Sequence, residues 1–416
     1  MKNFFKSIKI KRRIISLFYS FYIINNPSSK LKIIGVTGTN GKTTCTTLLY
    51  KICRELGYKA GLIGTVENII NDKKTPATHT TPDTPQLYRL LNQMINEGCE
   101  YVFMEVSSHA LHQNRIAGIK FIGALFTNLT HDHLDYHKDF KNYFKAKRRM
   151  FKKLTNASFA LTNIDDDYGE RMISNTNARK FTYSFERPAN FFGRIITINP
   201  EGITLNINDK ILKSRLLGKF NAYNLLAVYG ACKLLGFDLT PKNRNKLLSI
   251  FEKITPPPGR FEYFMSPKGV LIIIDYAHTP DALEKVILTS RGILSEGGRL
   301  ITVFGCGGDR DPTKRATMGK IGTELSDIAI LTSDNPRSED PEKIIEEMKA
   351  ELGDELILKT KTMPDRRKAI MESIQIAKKG DIILCAGKGH EDYQEIKGVK
   401  NHFDDMEEYK KGTNAK

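Results

Sequence analysis

The chain has 416 residues, of which 40% are hydrophobic and 27% charged, with a formal net charge of +17. That balance fits two or three globular domains and excludes a chain too polar to bury a core. The positive charge is spread along the chain without an RNA-binding signature or basic repeat, so no nucleic-acid partner is expected and anionic substrates suit it better. The six cysteines (Cys45, Cys53, Cys99, Cys232, Cys306 and Cys385) form no C-x-x-C pair. This excludes a disulfide framework or a cysteine zinc site and fits the reducing cytoplasm.

In residues 1–30, Lys2, Lys6, Lys9, Lys11, Arg12, Arg13 and Lys30 stand without an acidic residue. The apolar run Ile14 to Ile24 is too short to span a bilayer, which needs about 20 residues. It resembles the start of a signal peptide but is followed by no small-residue cleavage site. A basic amphipathic helix packed on the next domain is expected, with weak attachment to an anionic membrane surface as the alternative. Leu31 to Val36 then reads as a buried strand, and Leu48, Leu49, Ile52 and Leu56 recur at helical spacing. Between them lie Gly38, Thr39, Asn40, Gly41, Lys42, Thr43 and Thr44. Strand, glycine-rich turn and helix make a phosphate-binding loop, in which backbone N–H groups and the helix N-terminus receive an anion. Lys42 would reach the β/γ-phosphates of ATP and Thr43 would hold Mg²⁺. Val36 stands where the strict P-loop pattern has its first glycine.

From 31 to 255 strands and helices alternate, which predicts a mostly parallel sheet with helices on both faces. Strands are expected at Lys32–Val36, Tyr101–Glu105, Gly123–Asn128 and Ser158–Asn163. Phe191–Leu217 reads as a small β appendage, and Asn221–Leu235 as a helix. Pro256-Pro-Pro-Gly259 cannot continue a helix or a central strand, so a domain boundary is placed there. Residues 256–416 form a second, Rossmann-like α/β domain. Its strands are expected at Val270–Asp275, Arg299–Phe304, Ile328–Thr332 and Asp381–Ala386, and its helices at Asp281–Leu294, Pro341–Leu352 and Arg366–Ala377.

Glu105 ends an apolar strand and is placed to coordinate Mg²⁺ or to cap the surface. The stretch from Thr127 to His137 holds His131, Asp132, His133, Asp135 and His137, a polar, metal-associated loop in which not every side chain can be a ligand. Lys145, Lys147, Arg148 and Arg149, taken alone, read as a solvated basic helix face.

Several of these motifs together resemble the Mur ligase family. They are Gly38-Thr-Asn-Gly-Lys-Thr-Thr44, Glu105-Val-Ser-Ser-His109, Thr127-Asn-Leu with Asp132-His-Leu-Asp135, Ala146-Lys147, Asn221-Ala-Tyr-Asn224, Pro258-Gly-Arg-Phe-Glu262 and Asp275-Tyr-Ala-His-Thr-Pro280. Asp334-Asn-Pro-Arg337 and Gly387-Lys-Gly-His-Glu391 resemble the MurE branch, which adds the third amino acid of the peptidoglycan stem peptide. The resemblance implies a P-loop central domain followed by a C-terminal domain, and an ATP-dependent ligation through an acyl phosphate. It implies Lys42, Glu105, His133 and Lys147 as catalytic residues. Thr43, Glu105, His133 and a carbamylated Lys147 would hold Mg²⁺. Asn221, Asn224, Arg260, Asp275 and His278 would join the loop in binding nucleotide. Thr80, Thr81, Ser107, Gln113 and Arg115 would grip the nucleotide-linked muramoyl dipeptide. Arg310, Asp334, Asn335, Pro336, Arg337, Gly387 and Glu391 would take the amino acid. Arg337 resembles the meso-diaminopimelate-selecting form, since a guanidinium pairs bidentately with the distal carboxylate that lysine lacks. Glu391 would suit the distal ammonium.

Typical members of that branch begin with a uridine-binding domain, which the position of the phosphate loop leaves no room for. UDP-MurNAc-L-Ala-D-Glu is still the expected acceptor. Alternatives are a lipid-linked, non-uridylated or pseudomurein-type peptide, a folylpolyglutamate-synthase-like use, or a non-enzymatic scaffold. Domain closure is expected to bring amino acid to acyl phosphate, and the chain is expected to act as a monomer.

Overall fold

Successive residues of β1 (Lys32–Thr37) enter opposite cores: Ile33 joins Val102, Met104 and Phe126, whereas Ile34 and Val36 join Phe103, Leu125 and Leu161. A strand buried on both faces belongs in the middle of a parallel sheet. The computed structural model describes residues 26–130 and 132–414. The expected basic helix falls mainly on residues 1–25 and His131 belongs to the expected metal loop; both lie outside the described residues. Two compact units meet in sequence at Ile254 and Thr255.

The first unit holds one 11-stranded sheet. Its strands are β1, β2 (Ala60–Ile63), β3 (Glu67–Ile70), β4 (Lys73–Pro76), β5 (Tyr101–Glu105), β6 (Gly123–Phe126), β7 (Phe159–Asn163), β8 (Arg179–Ser184), β9 (Phe191–Asn199), β10 (Gly202–Ile207) and β11 (Lys210–Ser214). The order is β11-β10-β9-β8-β7-β6-β1-β5-β2-β3-β4, parallel from β2 through β9 and antiparallel at both ends. The expected small β appendage is thus joined to the edge of the main sheet. Phe191 and Phe192 pair with Tyr183 and Ser184, so β9 to β11 extend the main sheet. Three helices flank the site. Helix α1 (Lys42–Glu55) follows the phosphate loop. Helix α2 (Phe140–Lys152) is capped by Asp139, whose carboxylate accepts from the Asn142 N–H. Helix α3 (Lys219–Leu234) is apolar on most sides and buries Ala222, Leu225, Leu226 and Val228.

The second unit has a six-stranded sheet of β12 (Glu262–Met265), β13 (Leu271–Asp275), β14 (Leu300–Phe304), β15 (Ile328–Thr332), β16 (Thr360–Met363) and β17 (Ile382–Ala386). The order is β12-β13-β17-β14-β15-β16, with only β12 antiparallel. A two-stranded ribbon, β18 (Tyr393–Ile396) with β19 (Val399–His402), follows β17. Helix α4 (Arg366–Ile376) and the last helix, α5 (Asp405–Thr413), lie against each other. The six cysteines are free and buried. Among the described residues no helix is long and apolar enough to cross a membrane.

Candidate active site

In open parallel sheets, ligands sit beyond the carboxyl ends of the strands. In the first unit four neighbouring strands, β6, β1, β5 and β2, deliver the polar groups there. After β1 the chain turns at Gly38 (φ +157°) and Gly41 (φ +84°). A Cβ at Gly41 would stand 2.4 Å from Asn224 Oδ1, so a side chain there is excluded twice, by conformation and by space. The loop following β6 clasps this turn. Thr39 N–H donates to the Asn128 carbonyl at 2.8 Å, Asn40 N–H to Asn128 Oδ1 at 2.9 Å, and Thr127 Oγ1 to the Asn40 carbonyl at 2.6 Å. Lys42 Nζ lies over the loop, donating to the carbonyls of Gly38 and Thr39 at 3.0 and 2.7 Å. Thr44, on the first turn of α1, is buried.

Glu105 at the end of β5 is buried rather than capping the surface. Its Oε2 accepts from Thr43 Oγ1 at 3.0 Å and from Thr65 Oγ1 at 2.9 Å, while Oε1 accepts from Thr65 N–H at 2.8 Å. Thr65 carried no sequence signal, because only the placement of β2 beside β5 brings it here. A buried carboxylate flanked by two hydroxyls is a set of hard oxygen donors, which is what Mg²⁺ takes. Lys147 is likewise buried, contrary to a solvated basic face; Lys145 and Arg149 remain exposed. Its Nζ donates to the Gly38 carbonyl at 2.7 Å and lies 4.5 Å from the centre of the Tyr143 ring. Burial first, and the charge of Lys42 second, hold the Lys147 amine well below its ordinary pKa.

His133 borders this group through Tyr143, whose ring centre lies 6.3 Å from its own. It is exposed, paired with Asp132 at 3.4 Å, and its ring packs 4.8 Å from that of His109. Among the described residues no three His, Cys, Asp or Glu side chains are grouped to hold a metal ion. The expected acceptor residues do form one polar network with Glu105. Thr80 Oγ1 and Thr65 Oγ1 share a hydrogen bond of 3.1 Å, Thr81 Oγ1 donates to the Glu105 carbonyl at 2.8 Å, and Ser107 N–H to Thr81 Oγ1 at 3.0 Å. Arg115 donates to the Thr81 carbonyl at 2.9 Å and to Gln113 Oε1 at 2.9 Å. Asn221 and Asn224 are buried on α3 and bond each other at 3.0 Å, with Asn224 against Gly41 and Cys45. They support the loop from α3.

In the second unit the loops after β13, β14, β15 and β17 carry the remaining residues. Asp275 accepts from the N–H groups of Phe261 and Ala277 at 2.7 and 2.8 Å, and burial pushes its carboxyl up to about 6. Arg260 stacks 4.7 Å from the centre of the Tyr276 ring, and His278 Nδ1 bonds the Tyr276 carbonyl at 2.8 Å. Arg310 is exposed on the loop after β14. The turn from Asp334 to Arg337 is locked from within. Asp334 Oδ1 accepts from Asn335 N–H at 2.6 Å, and the carbonyl of Asn335 accepts from Gly308 N–H at 2.9 Å. Arg337 has φ +51° and donates to the Gly308 carbonyl at 2.7 Å. Its one carboxylate neighbour among the described residues, Glu395, is 3.8 Å away, beyond hydrogen-bond reach. Asn335 Nδ2 donates to Glu391 Oε2 at 2.7 Å. A Cβ at Gly387 (φ +116°) would lie 2.6 Å from Asp334 Oδ2. Lys388, which the sequence marks only as a member of Gly387-Lys-Gly-His-Glu391, is fully buried between Asn335, Glu391 and Tyr393.

The chain matches the Mur ligase middle domain over residues 36–232 and the Mur ligase glutamate ligase domain over residues 259–389. It is 52% identical over 388 residues to the UDP-N-acetylmuramoyl-L-alanyl-D-glutamate–2,6-diaminopimelate ligase of Bacteroides thetaiotaomicron, covering 93% of this chain and 79% of that protein. The chain belongs to the Mur ligase family. The Clostridium botulinum ligase of the same name is 43% identical over 402 residues, covering 95% of this chain and 80% of its own. A solved structure of a ligase of that name superposes with a TM-score of 0.67 at 37% identity, covering 92% of this chain and 78% of the other. Thermotoga maritima MurF, solved with ADP, has the same Mur ligase fold at 17% identity, with a TM-score of 0.63 and coverage of 88% and 79%.

Proposed function

We propose that this Mur ligase joins meso-diaminopimelate to the terminal carboxylate of UDP-N-acetylmuramoyl-L-alanyl-D-glutamate at the expense of ATP, in the cytoplasm. The observation that carries the choice of amine is Arg337. Its guanidinium is held by Gly308 on one side and has no carboxylate within hydrogen-bond reach among the described residues. A substrate carboxylate completes it, and Asn335 ties the same turn to Glu391, which suits an ammonium.

The acceptor carboxylate takes the γ-phosphoryl group and ADP leaves. The amine then attacks the acyl carbon, loses a proton, and phosphate departs from the tetrahedral intermediate. In this reading the loop from Gly38 to Thr44 binds the phosphates and Lys42 offsets charge on the transferring group. Thr43 and Glu105 would hold Mg²⁺, which when bound neutralises phosphate charge. Thr81, Gln113 and Arg115 orient the acceptor. Lys147 acts as its carbamate. A buried amine kept neutral can add to CO₂ and release a proton, and the resulting anion beside the phosphate loop would assist Thr43 and Glu105. His133, next to Tyr143 at the edge of this group, would complete the set of metal ligands.

The test is phosphate release with ATP, Mg²⁺ and the UDP-linked dipeptide, with meso-diaminopimelate or lysine as amine. Release at least about 100-fold more efficient with diaminopimelate is expected, and release with lysine alone overturns the choice of amine. Arg337→Ala should lower kcat/KM for diaminopimelate about 10- to 100-fold, the value of a charged hydrogen-bond pair, with the KM for ATP unchanged.

A further inference from the structure

Lys388 presents a problem of cost. Its ammonium is fully buried, and a methionine would fill the same space without desolvating a charge. Its partners explain where the charge is needed. Nζ donates to the Tyr393 carbonyl, at the start of β18, and lies 3.4 Å from both Asn335 Oδ1 and Glu391 Oε2. Asn335 and Glu391 are the two side chains bonded across the amino-acid loops. Glu391 is only 18% exposed. Burial first and the neighbouring Asp334 second raise its pKa above the ordinary value, and Lys388 and Asn335 oppose that rise by favouring the carboxylate. Both of its contacts fall on Oε2. Among the described residues Oε1 accepts no hydrogen bond, which leaves one oxygen for an incoming cation.

We infer that Lys388 is a positioning residue for amino-acid selection: from beneath the site it holds Glu391 as an oriented carboxylate that receives the distal ammonium of the substrate. Lys388 itself touches no substrate; its effect passes through Glu391. The inference rests on the diaminopimelate reading proposed above. It adds a consequence that a scaffolding role lacks, namely that removing the charge harms only substrates that carry the distal amine.

The experiment compares meso-diaminopimelate with 2-aminopimelate, which keeps the carbon chain and distal carboxylate but lacks the distal amine. Lys388→Met should lower kcat/KM for diaminopimelate about 10-fold, mostly through KM, and change that for 2-aminopimelate less than about 3-fold, with the KM values for ATP and acceptor unaltered. Lys388→Gln keeps a donor for the Tyr393 carbonyl, removes the charge and should reproduce the pattern if the methionine variant folds poorly. Equal losses for both amines, or no loss for either, would overturn the role of Lys388. A wild-type enzyme indifferent to the distal amine would overturn the diaminopimelate reading and the inference with it, an outcome recognisable before any variant is made.

Discussion

Lys147→Ala is expected to lower ligation roughly 10²- to 10³-fold, the usual cost of deleting one preorganised electrostatic group beside a phosphoryl transfer. The loss should appear in kcat, with nucleotide affinity changed little, because the Lys147 amine touches the phosphate loop through one bond, to the Gly38 carbonyl. The substitution also leaves a small cavity beside Tyr143 and Gly38, and filling it identifies which form of the side chain works. If the carbamate is the active form, acetate restores part of the rate and ethylamine does not. Rescue by ethylamine and not by acetate would mean that the free amine acts. Depleting CO₂ and bicarbonate should slow the wild-type protein as well. A variant retaining more than a third of wild-type activity would remove Lys147 from the mechanism.

The second large effect concerns stability. Arg366 and Asp405 are both completely buried, with two bonds of 2.7 Å between guanidinium and carboxylate. Asp405→Ala leaves that guanidinium without its anion, which should cost about 3–5 kcal/mol in the unfolding of the second unit, measured by denaturant titration. Replacing both residues with apolar ones of similar volume should recover most of the loss, since the folded state then desolvates no charge. A single variant within about 1 kcal/mol of wild type would mean that water reaches the guanidinium. Arg366 also donates to the carbonyls of Ser333 and Ala386, each at 3.2 Å, the residues just before Asp334 and Gly387. Weaker use of diaminopimelate should therefore accompany the destabilisation.

Local grammar made much of this legible. The phosphate loop could be read because strand, glycines and helix are consecutive, and Glu105 because an apolar run ends on it. Arg337 is singled out by the resemblance of Asp334-Asn-Pro-Arg337 to the family's motif, and only the argument for its substrate comes from charge. What stayed hidden depends on strands meeting from distant parts of the chain. Thr65 reaches Glu105 only because β2 lies beside β5. The strands after Phe191 read only as a small appendage, because nothing in their composition marks β8 as the partner that joins them to the main sheet. Lys147 sits in a basic stretch and Lys388 in a glycine-flanked polar turn; both settings imply solvent, and tertiary packing overrode that implication at both positions.

The burial of every cysteine carries a practical consequence. Native protein should resist thiol-directed reagents, so alkylation becomes a clock for opening of the structure. Cys45, Cys53, Cys99 and Cys232 lie in the first unit and Cys306 and Cys385 in the second. Peptide mapping of the alkylated sites would thus time the opening of each unit separately, and nucleotide should slow the first set and diaminopimelate the second.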